Sequence, residues 1–120
     1  MMSQHNKDTG FLGENKAAAY LIGMGYTILF RNWRYKHLEI DIIASKGNCL
    51  HIIEVKTRRS TNYGFPEQHI DAIKMQHLKN AAALFQYQHP SWNMLQIDVI
   101  AIQLYSEIKW DLFFIEDVYF

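Results

Sequence analysis

Two short triplets constrain this chain more than anything else in it: Glu39-Ile40-Asp41 and, thirteen residues after Asp41, Glu54-Val55-Lys56. Each borders an apolar run that reads as a β-strand. Asp41 leads into Ile42-Ile43-Ala44, and Glu54 follows Leu50-His51-Ile52-Ile53. Between the runs, Gly47-Asn48 suits a two-residue hairpin loop. With that loop Lys46 pairs with Cys49, Asp41 faces Glu54, and Glu39 faces Lys56. Strand alternation puts these four charged side chains on one face and Ile40, Ile42, Ile53 and Val55 on the other. Directly opposed side chains have Cβ atoms about 5 Å apart. Two carboxylates so placed repel by roughly 3 kcal/mol at an effective dielectric of about 20. A bound cation, or a proton on one of them, relieves that repulsion. The facing Glu39 gives Lys56 an ion-pair partner, which a β-bulge near Asp41 would take away.

The remaining sequence sets the surroundings of this hairpin. At 120 residues and 49% hydrophobic, the chain is expected to fold as one domain over residues 1–120, with the polar residues 1–8 disordered. Twelve basic and twelve acidic residues cancel, so a nucleic-acid partner needs a local basic patch rather than bulk charge. The single cysteine, Cys49, excludes an internal disulfide framework and reads as a plain strand thiol in a reducing compartment. The six histidines are dispersed, with no pair four residues apart and no cysteines to match, so a zinc site is not expected. Met1 to Lys7 has no apolar signal core, and no run approaches the ~20 apolar residues of a membrane span. The expectation is a cytoplasmic protein without membrane contact.

In chain order, Asp8 or Thr9 is the expected cap of a first helix ending near Met24, with Gly25 as terminator. Phe11, Glu14, Ala18 and Leu21 share one stripe, beside Ala17 and Ile22. A carboxylate on that stripe leaves two readings open. Glu14 sits at the stripe's edge, where a first-turn negative charge suits the helix dipole, or it points at the two facing carboxylates and completes their site. Tyr26 to Arg31 reads as a strand. Asn32 to His37 continues or turns it and interleaves aromatic with basic side chains, a mixture equally suited to phosphate contact and to an ordinary sheet edge.

Thr57 to Pro66 is the most loop-like segment. At its start Arg58 and Arg59 join Lys56 in the densest basic cluster of the chain, beside the acids, which favours phosphate binding there. A second helix is expected from Pro66 to about Gln88, with an apolar stripe of Ile70, Ile73, Leu78, Ala81, Ala82, Leu84 and Phe85. Lys74 lies at the boundary of that stripe. A buried strand over 93–104, interrupted by Asp98, and a returning strand over 107–114 complete the order. The whole reads α-β-β-β-α-β with an extra C-terminal strand, an α/β fold with a mixed central sheet flanked by helices.

An acid on one strand, then acid-x-lysine on the next, suits phosphodiester hydrolysis. Carboxylates hold a hard cation such as Mg²⁺ or Mn²⁺, and lysine orients the attacking water or stabilises the developing charge. The backbone carbonyl of Val55 is a further candidate ligand.

These residues resemble the PD-(D/E)xK nuclease signature, whose core is the restriction-endonuclease-like α-β-β-β-α-β order. More narrowly the chain resembles the YraN family, related to Holliday junction resolvases. The stretches that carry this are Gly13-Glu14, Gly25-Tyr26-Thr27-Ile28-Leu29, Arg31-Asn32-Trp33-Arg34, Glu39 to Ala44, Glu54 to Arg58, and Ile97-Asp98-Val99-Ile100-Ala101. Leu38 stands where the family pattern has glycine. The resemblance implies Glu14, Asp41, Glu54 and Lys56 as catalytic residues, with Asp41, Glu54, Glu14 and Val55 as metal ligands. Arg31, Arg34, Arg58, Arg59 and Lys74 are the residues expected to contact nucleic acid. It also implies a Mg²⁺- or Mn²⁺-dependent endonuclease acting on DNA, branched or damaged, and a homodimer. Two alternatives remain: a nucleic-acid-binding module of the same fold that does not cut, and a structural or partner-binding protein.

Overall fold

A computed structural model describes residues 4–59 and 72–118 of the chain. Its elements run α1 (Gln4–Gly23), β1 (Thr27–Tyr35), β2 (Leu38–Lys46), β3 (Cys49–Arg59), α2 (Ala72–Gln88), β4 (Met94–Leu104) and β5 (Trp110–Ile115). The five strands form one mixed sheet in the order β1-β2-β3-β4-β5. Only β3 and β4 are parallel, as the crossover through α2 requires. This is the α/β architecture expected from the sequence, consistent with a restriction-endonuclease-like core.

Each face of the sheet is buried under one helix. Ala17, Ala18 and Leu21 of α1 pack on Ile42, Ala44, Ile53, Ile100 and Ile102. On the opposite face Met75, Leu78, Ala81, Ala82 and Phe85 of α2 pack on Ile40, Ile43, Leu50 and Ile52. Phe11, Ile22 and Ile73, assigned to the helix stripes above, face solvent instead. Besides Leu12 and Leu21, α1 meets the sheet through small residues, and near Gly13 the helix runs close against β3. Gly13 shows how closely: a Cβ on it would lie 1.8 Å from Thr57 Oγ1.

Two boundaries differ from the sequence reading. Asp8 and Thr9 lie inside α1 rather than capping it, and Thr9 is buried against Arg59, whose Nε donates to Thr9 Oγ1 at 2.6 Å. The helix does end as expected. Gly25 takes a φ of +93°, with Tyr26 N donating to Leu21 O and Gly25 N to Ile22 O, a Schellman closure. Thr57, Arg58 and Arg59 are strand rather than loop, because their pairing with Ile102, Gln103 and Leu104 carries β3 on past Lys56. The expected start of the second helix at Pro66, with Ile70, lies outside the described residues. No helix among the described residues is long and apolar enough to cross a membrane.

Candidate active site

The β2–β3 hairpin keeps the register expected from its loop, from Lys46↔Cys49 to Ile42↔Ile53, and the ladder ends there. Beyond that point the two strands part. Val55 N–H, which a continued ladder would give to a β2 carbonyl, donates instead to Asp41 Oδ2 at 2.8 Å. The N–H and C=O of one strand residue point to the same side of the strand. The Val55 carbonyl is therefore turned to the same gap as Asp41.

Alternation also slips at Asp41. Ile40 packs in the α2-side core and Ile42 in the α1-side core, although residues two apart in a regular strand share a face. The slip has a counterpart in β1. Arg31 pairs with Ile42 and Trp33 with Ile40, while Asn32 and Asp41 between them drop out of the pairing together. Asn32 adopts φ +55°, a left-handed conformation that asparagine tolerates better than most residues. Both it and Arg31 then reach Glu14 of α1. The single-face arrangement of Ile40, Ile42, Ile53 and Val55 thus fails at Ile40. Asp41 sits at this slip, its Oδ2 turned into the gap towards Val55 N–H.

A cleft of about 640 Å³ lies at this point, lined by Glu14, Asn32, Glu39, Asp41, Val55, Lys56, Thr57, Arg58 and Lys74, with Thr9, Gly10 and Phe11 from α1. Glu54 does not line it. Glu54 is 5% exposed and borders an adjoining cavity of about 320 Å³ shared with His37, Ile73, His77 and Leu78, where Glu39 and Lys74 line both spaces. The Glu54 and Asp41 carboxyls nevertheless interact directly. Burial, then the Glu54 charge, pushes Asp41 from the ordinary 3.8 to about 8, against the opposing pull of the Val55 N–H and Lys74. Lys74 Nζ stands 2.6 Å from Glu54 Oε2. No hydrogen bond of good angle reaches that buried oxygen among the described residues, so the contact is an ion pair. Burial pulls the Lys74 ammonium down, but Glu54, Asp41 and Glu39 outweigh it and hold Lys74 above the ordinary lysine value.

The other charged residues named from the sequence divide clearly. Glu14 lines the cleft, its Oε1 held by Arg31 at 2.9 Å and by Asn32 at 3.0 Å. Arg31 also donates to Asn15. Arg34 pairs loosely with Glu39 at 3.5 Å on the surface. Arg59 is spent on Thr9. Arg58 is exposed at the cleft mouth, and Lys56 lies on its wall. The structure therefore gathers Glu14, Asp41, Val55, Lys56, Arg58 and Lys74 around one cleft with Glu54 behind them, and ties Arg31, Arg34 and Arg59 to partners within the chain.

As a cation site the arrangement offers two touching carboxylates and an inward-turned carbonyl. Among the described residues no group of three or more His, Cys, Asp or Glu side chains is gathered closely enough to cage an ion. Two carboxylates with water suffice for Mg²⁺, which is ordinarily held by one or two of them. The raised Asp41 marks the cost of a second negative charge beside Glu54, a cost that a bound cation would lower.

The sequence reading gave Gly13 no packing role and did not pair His51 with Asp98. That buried polar pair joins β3 to β4: His51 Nδ1 lies 2.7 Å from Asp98 Oδ2. Asp98 Oδ1 accepts from Gln96 Nε2 at 2.8 Å and from Asp117 N at 2.9 Å. Asp98 is therefore a structural anchor for the segment after β5. The signal available for it was a charged residue in an otherwise apolar strand.

Residues 13–102 match the family described as Uncharacterised protein family UPF0102. Among similar proteins, one from Caldicellulosiruptor saccharolyticus is 42% identical over 106 residues, covering 88% of either chain. One from Bacteroides thetaiotaomicron is 43% identical over 105 residues, covering 84% of this chain and 83% of its own. One from Clostridium perfringens is 34% identical over 120 residues, covering 98% of either chain. Each carries the name UPF0102 protein. The matched span contains the two acidic strand ends, the sheet-packing part of α1 from Gly13 onward and all of α2, and on that match the chain belongs to the UPF0102 family, the YraN family its motifs resemble.

Proposed function

We propose that the cleft between β2 and β3 is a divalent-cation-dependent nuclease site acting on DNA phosphodiester bonds. The observation that carries this is the parting of the strands at Asp41, which brings Asp41, Val55 and Lys56 to one opening with the Glu54 carboxyl interacting with Asp41 from behind it. Asp41 and Glu54 hold the cation, with the Val55 carbonyl as an added oxygen. When bound, Mg²⁺ or Mn²⁺ supplies Lewis acidity towards a phosphoryl oxygen and lowers the pKa of an attacking water. Val55 N–H fixes one Asp41 oxygen and so orients the other. Lys56, on the cleft wall, stabilises the negative charge that develops on phosphate. Arg58, exposed at the mouth, receives the flanking phosphate with its fork of donors. Glu14, clamped by Arg31 and Asn32, holds α1 against the opening and keeps a carboxylate on the cleft rim.

The test is a panel of single-stranded, duplex, flap and four-way-junction DNA with Mg²⁺ or Mn²⁺. Nicking that disappears in Glu54→Ala, with the variant still folded, supports the proposal, and undiminished cleavage by that variant refutes it. Symmetric cutting of a branched substrate takes two such sites, so the proposal includes a homodimer, which light scattering would detect.

The Lys74–Glu54 ion pair favours a second reading, a nucleic-acid-binding module that does not cut, because the carboxylate already has a cation. That reading predicts salt-sensitive DNA retention with no cleavage under either metal.

A further inference from the structure

Resting on the cation site just proposed, we infer that Lys74 is the built-in counter-ion of that site and that a divalent cation must displace it from Glu54 to bind. Two independent observations carry this. The first is contact: Lys74 Nζ lies 2.6 Å from a Glu54 oxygen that no well-angled hydrogen bond reaches among the described residues. The second is access: Glu54 borders the smaller cavity rather than the cleft, and Lys74 lines both. Lys74 and Glu39 are the side chains that line both spaces, and Lys74 is the one in contact with Glu54.

The physical basis is competition for one charge. A buried carboxylate next to another carboxyl needs a cation nearby, and a metal ion drawn to the same Oε2 competes there with the Lys74 ammonium. The Lys74 side chain is half exposed. It can therefore leave for water without the cost of stranding a buried ammonium, whereas Glu54 cannot leave. The role is one of positioning, since Lys74 acts on the site by occupying Glu54.

The test is calorimetric titration of the full chain with Mn²⁺ alone, using wild type, Lys74→Met and Lys74→Arg, with Lys74→Gln as a second neutral variant should Met prevent folding. Removing the competitor should tighten Mn²⁺ binding on the order of tenfold, as expected for loss of an ion pair intermediate between exposed and buried. Arg keeps the charge and should bind near the wild-type affinity. In thermal melts, the neutral variant should unfold earlier than wild type without metal and gain more from added Mn²⁺. Equal or weaker binding by the neutral variants, with wild type binding, overturns the inference and leaves the cation site standing. Heat from none of the proteins overturns both. Binding without DNA cleavage under any condition removes the nuclease reading while the Lys74 result still decides this one.

Discussion

Replacing Asp41 with asparagine should stabilise the metal-free protein, against the usual outcome of substitution in a packed site. Burial and the Glu54 charge raise Asp41 from 3.8 to about 8. Between those values the folded chain keeps a proton that the unfolded chain releases. The folded state then binds more protons, so stability falls as pH rises from about 4 to about 8 and levels off above that. At pH 7 the unfolded carboxyl sits roughly three units above its pKa while the folded one is still protonated. At about 1.4 kcal/mol per unit this costs about 4 kcal/mol. Asparagine has no charge to lose, and its carbonyl can still accept from Val55 N–H. Because Asp41 and Glu54 share the strain, a gain of about 2–4 kcal/mol is expected. Urea unfolding from pH 5 to 9 in the presence of a chelator measures it. Wild type should lose stability up to about pH 8 and then level off, while Asp41→Asn stays nearly flat and is the more stable at pH 7. Added Mn²⁺ should narrow the gap by stabilising wild type more. An asparagine variant no more stable at pH 7, or with an unchanged pH slope, would refute the reasoning.

Other outcomes follow from contacts elsewhere in the fold. Gly13→Ala should lose about 1–3 kcal/mol in chemical unfolding, because the new methyl group runs into Thr57 on a packed strand. Gly10→Ala in the same helix meets nothing within 4 Å and should gain about 0.5–1 kcal/mol. Asp98→Ala should cost about 3 kcal/mol or more by stranding His51, Gln96 and the Asp117 N–H, again read by chemical unfolding. Arg58→Ala should weaken DNA retention and lower the salt slope by about one, measured by filter binding at several salt concentrations. The same change at Arg59 should instead lower stability, through loss of its bond to Thr9.

Much of this fold can be read in the sequence because its signals are local. Gly47-Asn48 sets the hairpin register, and that register holds as far as Ile42↔Ile53. Gly25 stops α1 because only a residue at ease at positive φ closes the helix there. The site is harder to read, because its decisive features come from pairs of elements. The slip at Asp41 depends on Asn32 in the neighbouring strand and on Glu14 in α1, and no pattern within β2 announces it. Strict alternation therefore put Ile40 on the wrong face. The strand character of Thr57 to Arg59 comes from β4, some 45 residues on, and a parallel register leaves no turn signal between partners. Lys74 looked like a boundary residue because a helix stripe shows which face is buried but not which strand residue it meets. The polar strand residues His51 and Asp98 were each visible, yet their meeting depends on that same β3–β4 register.

The most direct test of the central claim is the rate of supercoiled-plasmid nicking in Mn²⁺ by wild type and Asp41→Asn side by side. The substitution is expected to leave the metal-free protein folded and more stable than wild type, so lost activity could not be blamed on lost structure. If the β2–β3 cleft is a cation-dependent nuclease site, wild type nicks the plasmid and Asp41→Asn does not, at equal or higher stability. Nicking by the folded variant at the wild-type rate would contradict the claim, as would no nicking by wild type at any Mn²⁺ concentration.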